Sequence, residues 1–178
     1  MIAGSDGGDC AVDEESPTRC YHTYFVLSGL FGQHVERSDT GGGWGSWQLV
    51  NVPNVPAASL FYPPLEARGK LVAQGADDLF ISERGADPVP WIRVPLPAPA
   101  DLVTALDIPA PDRVLVGTQL GRIFSVTRAG TPPVWTPNAL GALPAPAHVT
   151  DVLTDPGDPR RIWATLVGFT GIDPTVPP

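Results

Sequence analysis

No run of apolar residues in this chain approaches the twenty or so that an α-helix needs to cross a bilayer, so a membrane-spanning helix is excluded on length. Basic residues are scarce. Eleven Lys and Arg stand against nineteen Asp and Glu, and the net charge of −8 opposes attraction to a polyanion, so nucleic acid is not an expected partner. The opening MIAGSDGGDC lacks the charged start and apolar core of a secretory leader, and an exported parent would carry its leader upstream. His22, His34 and His148 are scattered without HxxxH or HExxH spacing, and neither cysteine has a CxxC neighbour, so no metal is expected. The glycine-rich turns lack the Lys-Ser/Thr and helix of a phosphate cradle, and no cofactor is called for. No stretch sustains a helical period.

Against these absences stands a repeat. Trp47, Trp91 and Trp135 follow one another at intervals of 44 residues, and the stretches before them run in parallel: VLSGLFGQHVERSDTGGGWGSW, LVAQGADDLFISERGADPVPW and VLVGTQLGRIFSVTRAGTPPVW. Each reads as apolar strand, turn, alternating strand ending in Ser, Gly-bearing turn and Trp. Ser38, Ser82 and Ser125 keep their spacing to the tryptophans to within one residue. A strand-built period in the low forties is the signature of a β-propeller blade, in which four antiparallel strands form a unit that buries its faces only against its neighbours. The expected fold is all-β, a propeller segment of about 3.5 four-stranded blades.

Period-two alternation between Gly, Pro and Asp punctuation places the strands. Blade 1 spans about residues 9–51, with CAV as its inner strand and then Tyr21 to Leu27, His34 to Ser38 and Trp47 to Asn51. Blade 2, about 58–96, takes Ala58 to Pro63, Lys70 to Gly75, Asp78 to Arg84 and Trp91 to Leu96. Blade 3, about 102–138, takes Leu102 to Pro109, Arg113 to Thr118, Arg122 to Arg128 and Val134 to Asn138. A half blade, about 148–178, holds His148 to Thr154 and Arg161 to Val167. A closed propeller typically has about four to eight blades, so remaining blades or another subunit are expected to complete the ring. Cys10 and Cys20 flank the turn DEESPT; they either bridge across that hairpin, which would place the protein in an oxidising compartment, or remain free thiols.

The chain resembles the sialidase-like propellers with BNR (Asp-box) repeats, including sortilin-like and xyloglucan-hydrolase-like members. Their box runs Ser, any residue, Asp, any, Gly, any, Thr, Trp. RSDTGGGWGSW supplies Ser38, Asp39, Gly41, Gly42 and Trp47, with the Asp one position early and two extra residues before Trp. SERGADPVPW keeps Ser82, Gly85 and Trp91 with Arg84 in the Asp position, and SVTRAGTPPVW keeps Ser125, Gly130 and Trp135 without the Asp. The resemblance covers about three quarters of the chain. It implies that the box residues Ser38, Asp39, Trp47, Ser82, Trp91, Ser125 and Trp135 are structural, the carboxylate accepting turn N–H bonds and the Trp packing between sheets. An extracellular or periplasmic setting is the expectation that goes with a bridged Cys10 and Cys20.

A propeller's ligand face is built from the turns between second and third strands and the connections between blades. Phe31, Asp77, Asp78, Gln119 and Arg122 lie on those turns and are the candidates for ligand contact. A glycosidase would need two carboxyl groups facing one bond, about 5 Å apart for retention or about 6.5–9.5 Å for inversion, and no spacing here demands such a pair. The expected role is a non-catalytic binding or scaffold module for a glycan, polysaccharide or protein at the turn face. Two other roles stay open, a piece of a propeller glycoside hydrolase and a lectin that closes its ring by oligomerisation.

Overall fold

The computed structural model describes residues 7–24, 34–51, 60, 62–83, 85, 91–97, 101–142 and 148–167. Fourteen strands in these residues form four separate antiparallel sheets. The first holds β1 (Gly7–Val12), β2 (Cys20–Tyr24), β3 (His34–Ser38) and β4 (Gln48–Asn51). The second holds β5 (Leu65–Arg68), β6 (Leu71–Gly75), β7 (Leu79–Ser82) and β8 (Ile92–Val94). The third holds β9 (Val103–Ala110), β10 (Arg113–Thr118), β11 (Arg122–Ala129) and β12 (Val134–Ala142). The fourth holds β13 (His148–Asp155) and β14 (Asp158–Val167). Strand order follows chain order in every sheet, and the first strands of successive sheets pack on one another, β1 on β5, β5 on β9 and β9 on β13. That is propeller geometry, three full blades and a two-stranded fourth, with first strands innermost.

Each seam between blades is a core of its own. Ala11, Tyr21 and Val35 of the first blade meet Leu65, Ala67, Val72, Phe80 and Trp91 of the second. Leu71, Ala73, Leu79 and Ile81 on the second blade's other face meet Leu106, Ile108, Phe124, Val126 and Trp135 of the third. Leu115 and Ala105 then meet Val149 and Val152 of the fourth. Both faces of the middle sheets are covered, which is why β6 and β7 are buried at every position.

Glycine sets the closest approach at two equivalent points. A Cβ on Gly75, the last residue of β6, would run into the Val103 side chain of the next blade's first strand, and a Cβ on Gly117 of β10 would run into Val149 in the same way. Polar ties repeat alongside. Asp9 Oδ2 accepts from Leu65 N–H at 2.9 Å, Ala76 C=O from Val103 N–H at 2.7 Å, and Asp107 Oδ2 from Thr154 N–H at 2.7 Å.

The strands expected from the sequence fall on these elements with one displacement. The second blade's inner strand begins at Leu65, not in the segment 58–63, of which 58, 59 and 61 lie outside the described residues. Pro63 and Pro64 carry no N–H for a ladder. Their carbonyls are used instead, Pro63 C=O accepting from Thr23 Oγ1 at 3.2 Å and Pro64 C=O from Gly75 N–H at 3.0 Å.

Candidate functional site

Strand alternation divides the blade ends. Turns between first and second strands and between third and fourth emerge at one end, whereas turns between second and third strands and the blade connections emerge at the other. The boxes lie at the first end. In blade 1 Ser38 is buried, and its hydroxyl accepts from Thr40 N–H (3.2 Å) and Gly42 N–H (3.0 Å) and bonds the Ser46 hydroxyl at 2.6 Å. The hydroxyl thus takes the turn's N–H groups, the work expected of the carboxylate. Asp39 is held instead between Arg19 (2.8 Å) and Arg37 (3.1 Å), and the Arg19 hydrogen bond leads in holding its carboxyl below the usual range.

Trp91 and Trp135 are buried in the first and second seams, each facing the preceding blade. Trp135 Nε1 donates to Glu83 Oε1 at 2.7 Å, and Glu83 also takes Arg128 through both carboxylate oxygens at 2.7 and 3.2 Å. Trp47 projects from the equivalent face of the first blade, half-buried, its ring tilted against His22 with centroids 4.4 Å apart. The serines do not all correspond. Ser38 and Ser82 share a face with the tryptophan of their own blade, but Ser125 stands opposite Leu115 and points to the fourth blade, where Arg113 Nε donates to it at 3.0 Å. Val126 takes the box position in blade 3, because a one-residue slip in a strand turns the side chain to the other face.

Cys10 and Cys20 are both free. Cys10 stands opposite His22 and Cys20 opposite Val12, which makes the two cysteines diagonal neighbours. Diagonal Cα atoms lie about 7–8 Å apart, beyond the span a disulfide bridges without backbone movement. Burial leads in pushing the Cys10 thiol upward, with Asp9 adding to it.

At the opposite end the candidate contact residues separate. Asp78 is buried and committed, accepting from Arg93 Nε at 2.6 Å and Leu96 N–H at 3.0 Å. Asp77 is half-buried, its Oδ1 is without a partner, and burial raises its carboxyl above the ordinary range, with Asp78 adding to the effect. Gln119 is exposed. Arg122 lies 3.5 Å from Asp101, a fully buried carboxylate whose other oxygen accepts from Leu120 N–H at 3.0 Å. Phe31 lies outside the described residues. Arg93 and Asp101, not anticipated from the sequence, hold this end together by fixing Asp78 and Arg122.

A cleft of about 380 Å³ opens at the box end. Glu15, Arg68, Lys70, Glu83, Pro111 and Arg128 line it, from the turns of three blades. Arg68 donates to the carbonyls of Ile108 (3.1 Å) and Pro109 (2.5 Å), and Arg128 is locked on Glu83, so both guanidiniums are rigid walls. Lys70 is exposed; its carbonyl accepts from Gly85 N–H at 2.8 Å, and its ammonium pairs with nothing among the described residues. Trp44, on the third-to-fourth turn of blade 1, is 91% exposed. Its signal in the sequence was a Trp set among glycines, in GGGWG. Among the described residues no group of three or more His, Cys, Asp or Glu could hold a metal ion, and no helix is long and apolar enough to cross a membrane.

No family model matches this chain, and no curated protein matches it by sequence. Solved structures match it by shape. YCF48 bound to D1 peptide superposes on 89% of this chain and 47% of its own length, with a TM-score of 0.57 at 11% identity. YCF48 from Cyanidioschyzon merolae superposes on 93% of this chain and 65% of its own, with a TM-score of 0.50 at 11% identity. The chain therefore spans between about half and two thirds of the structures it matches. YCF48 is a β-propeller protein, and a likeness of this kind is one of fold. Together with the strand order, it makes this chain a β-propeller segment.

Proposed function

We propose that this chain is a non-catalytic propeller module that binds a polypeptide, using the cleft at its box end to receive an acidic side chain of the partner. The cleft carries the reading. Two guanidiniums fixed by protein acceptors give it shape, and the uncommitted Lys70 ammonium supplies a charge for a partner carboxylate. The shape likeness to YCF48 bound to D1 peptide supports a polypeptide ligand. Asp9, Asp78 and Asp101 already hold neighbouring blades or arginines, which favours binding over hydrolysis. The Ser38 turn, with Trp91 and Trp135 set between sheets, supports kinship with the sialidase-like Asp-box propellers.

The test is a screen of the chain on arrays of acidic peptides, followed by titration of the best binder. Lys70→Glu should weaken that binder at least about tenfold, equivalent to about 1.4 kcal/mol. Equal binding by the variant would remove the cleft from the reading. A glycan ligand is a second reading, and the exposed Trp44 favours it, since a Trp face in water stacks on sugars. Binding on a glycan array that is lost in Trp44→Ala, with no peptide hits, would replace the first reading by this one. Release of reducing sugar would overturn the non-catalytic part.

A further inference from the structure

We infer that the cleft selects a partner segment carrying charges of both signs, an Asp or Glu with a Lys or Arg close beside it, the acid meeting Arg68 and Lys70 and the base meeting Glu15. This rests on the reading of the cleft as a peptide site and names its ligand more closely. Among the lining groups the charges of Arg128 and Glu83 offset each other. Arg68 is held through its Nη1 by the carbonyls of Ile108 and Pro109, which are uncharged acceptors, so no carboxylate stands against its positive charge among the described residues. Lys70 is a second such cation. Glu15 is the opposite case, an exposed carboxylate with no cation against it among the described residues.

The fold places Glu15 at the cleft. Its turn, between β1 and β2, is stitched together: Asp13 Oδ1 accepts from Glu15 N–H at 3.0 Å, Asp13 C=O from Ser16 N–H at 3.1 Å, and Ser16 C=O from Arg19 N–H at 2.7 Å. The carboxyl reaches across the first seam onto Gly69, which with Lys70 makes the turn between β5 and β6. A Cβ on Gly69 would stand 2.8 Å from Glu15 Cδ and 2.9 Å from each carboxylate oxygen, and Gly69 has a φ of +56°, where side chains are disfavoured. Glycine thus serves both the turn and the carboxyl resting on it. Lys70 is the next residue, yet it forms no ion pair with that carboxyl. The two unpaired charges are anchored one residue apart along the turn, so their complements must be close together in the partner. Adjacent residues satisfy this, as do alternate ones, which on an extended segment share a side at about 6.5 Å. An all-acidic segment would set a carboxylate against Glu15, on a chain whose net charge of −8 already repels it.

The probe is a nonapeptide array with Glu fixed at the centre and Lys, Glu, Ser or Leu at the two positions on either side, the tightest binders then being titrated against the whole chain. Those binders should carry Lys at one of the four positions. Replacing that Lys by Ser should weaken binding about two- to fivefold, the range of an exposed ion pair, and replacing it by Glu should weaken it further. In Glu15→Gln the difference between Lys and Ser should vanish, and the Glu-for-Lys peptides should bind more tightly than they do to the wild type. Gly69→Asn keeps a residue that tolerates positive φ and pushes the carboxyl off its place, so it should shrink the same difference. Binders that need the central Glu and Lys70 but gain nothing from Lys would overturn the inference and leave the peptide site standing. So would a gain that is unchanged in Glu15→Gln or Gly69→Asn. An array without any binder would overturn the inference and the peptide site together.

Discussion

Replacing Glu66 with Gln should stabilise the protein at neutral pH and flatten its pH dependence. Glu66 sits on β5, opposite Ala73, where the innermost strands converge. Burial is the main reason its carboxyl is pushed up to about 7 from an ordinary 4.5, and the nearby carboxylates Asp107, Asp9 and Glu14 push in the same direction. A group whose folded value is raised holds a proton that the unfolded chain has released, so stability is lost as pH rises from about 4.5 to about 7. At about 1.4 kcal/mol for each pH unit, a fully dry carboxyl would lose about 3 kcal/mol across that window. Glu66 keeps some contact with water, which lowers the expected loss to about 2 kcal/mol. Urea unfolding followed by tryptophan fluorescence at pH 5 and pH 7.5 reads the difference for both proteins. The wild-type midpoint should fall between the two pH values, and Glu66→Gln, neutral throughout, should lose most of that fall. A variant that tracks the wild type at both pH values would show that the buried carboxyl is not the source.

Gly117→Ala should cost about 1–3 kcal/mol in urea unfolding, because its methyl group meets Val149 across the third seam. An unchanged midpoint would mean that the fourth blade yields without strain. Native protein prepared without reductant should take up two alkyl groups by mass spectrometry, since Cys10 and Cys20 are both free and at least part-exposed. Alkylation that appears only after reduction would show a bridge. Glu83→Ala should destabilise by about 1–3 kcal/mol, because Arg128 and the Trp135 indole N–H lose their shared acceptor. The same loss in an Arg128→Ala variant would show that the ion pair accounts for it, and a smaller loss there would assign the remainder to the indole.

The fold was legible because a propeller writes its period into the chain. Trp91 and Trp135 recur at 44 residues, since each must reach back into the seam with the blade before it, and Gly75 and Gly117 recur where the next blade's first strand comes closest. Where the reading slipped, backbone chemistry was responsible. The expected strand takes in Pro63, yet Pro63 and the Pro64 that follows it serve as acceptors, and β5 begins at Leu65. The Ser125 match was misleading because a spacing rule that tolerates one residue cannot tell the two faces of a strand apart.

The site was less legible because its residues are defined by partners far along the chain. Asp78 looked like a free turn carboxylate, but Arg93 and Leu96 on β8 and beyond it consume both oxygens. Arg68 is fixed by carbonyls some forty residues on, at Ile108 and Pro109. In a propeller each blade completes its neighbour's hydrogen bonds, so the availability of a polar side chain is settled at the seam and not within its own repeat. The same rule separates the two ends of the array. Trp91 and Trp135 have a preceding blade to enter, whereas Trp47, on the same face of the first blade, rests against His22 of its own sheet and stays half-buried. Three tryptophans alike in sequence thus differ in environment because only two have a described preceding blade to pack against.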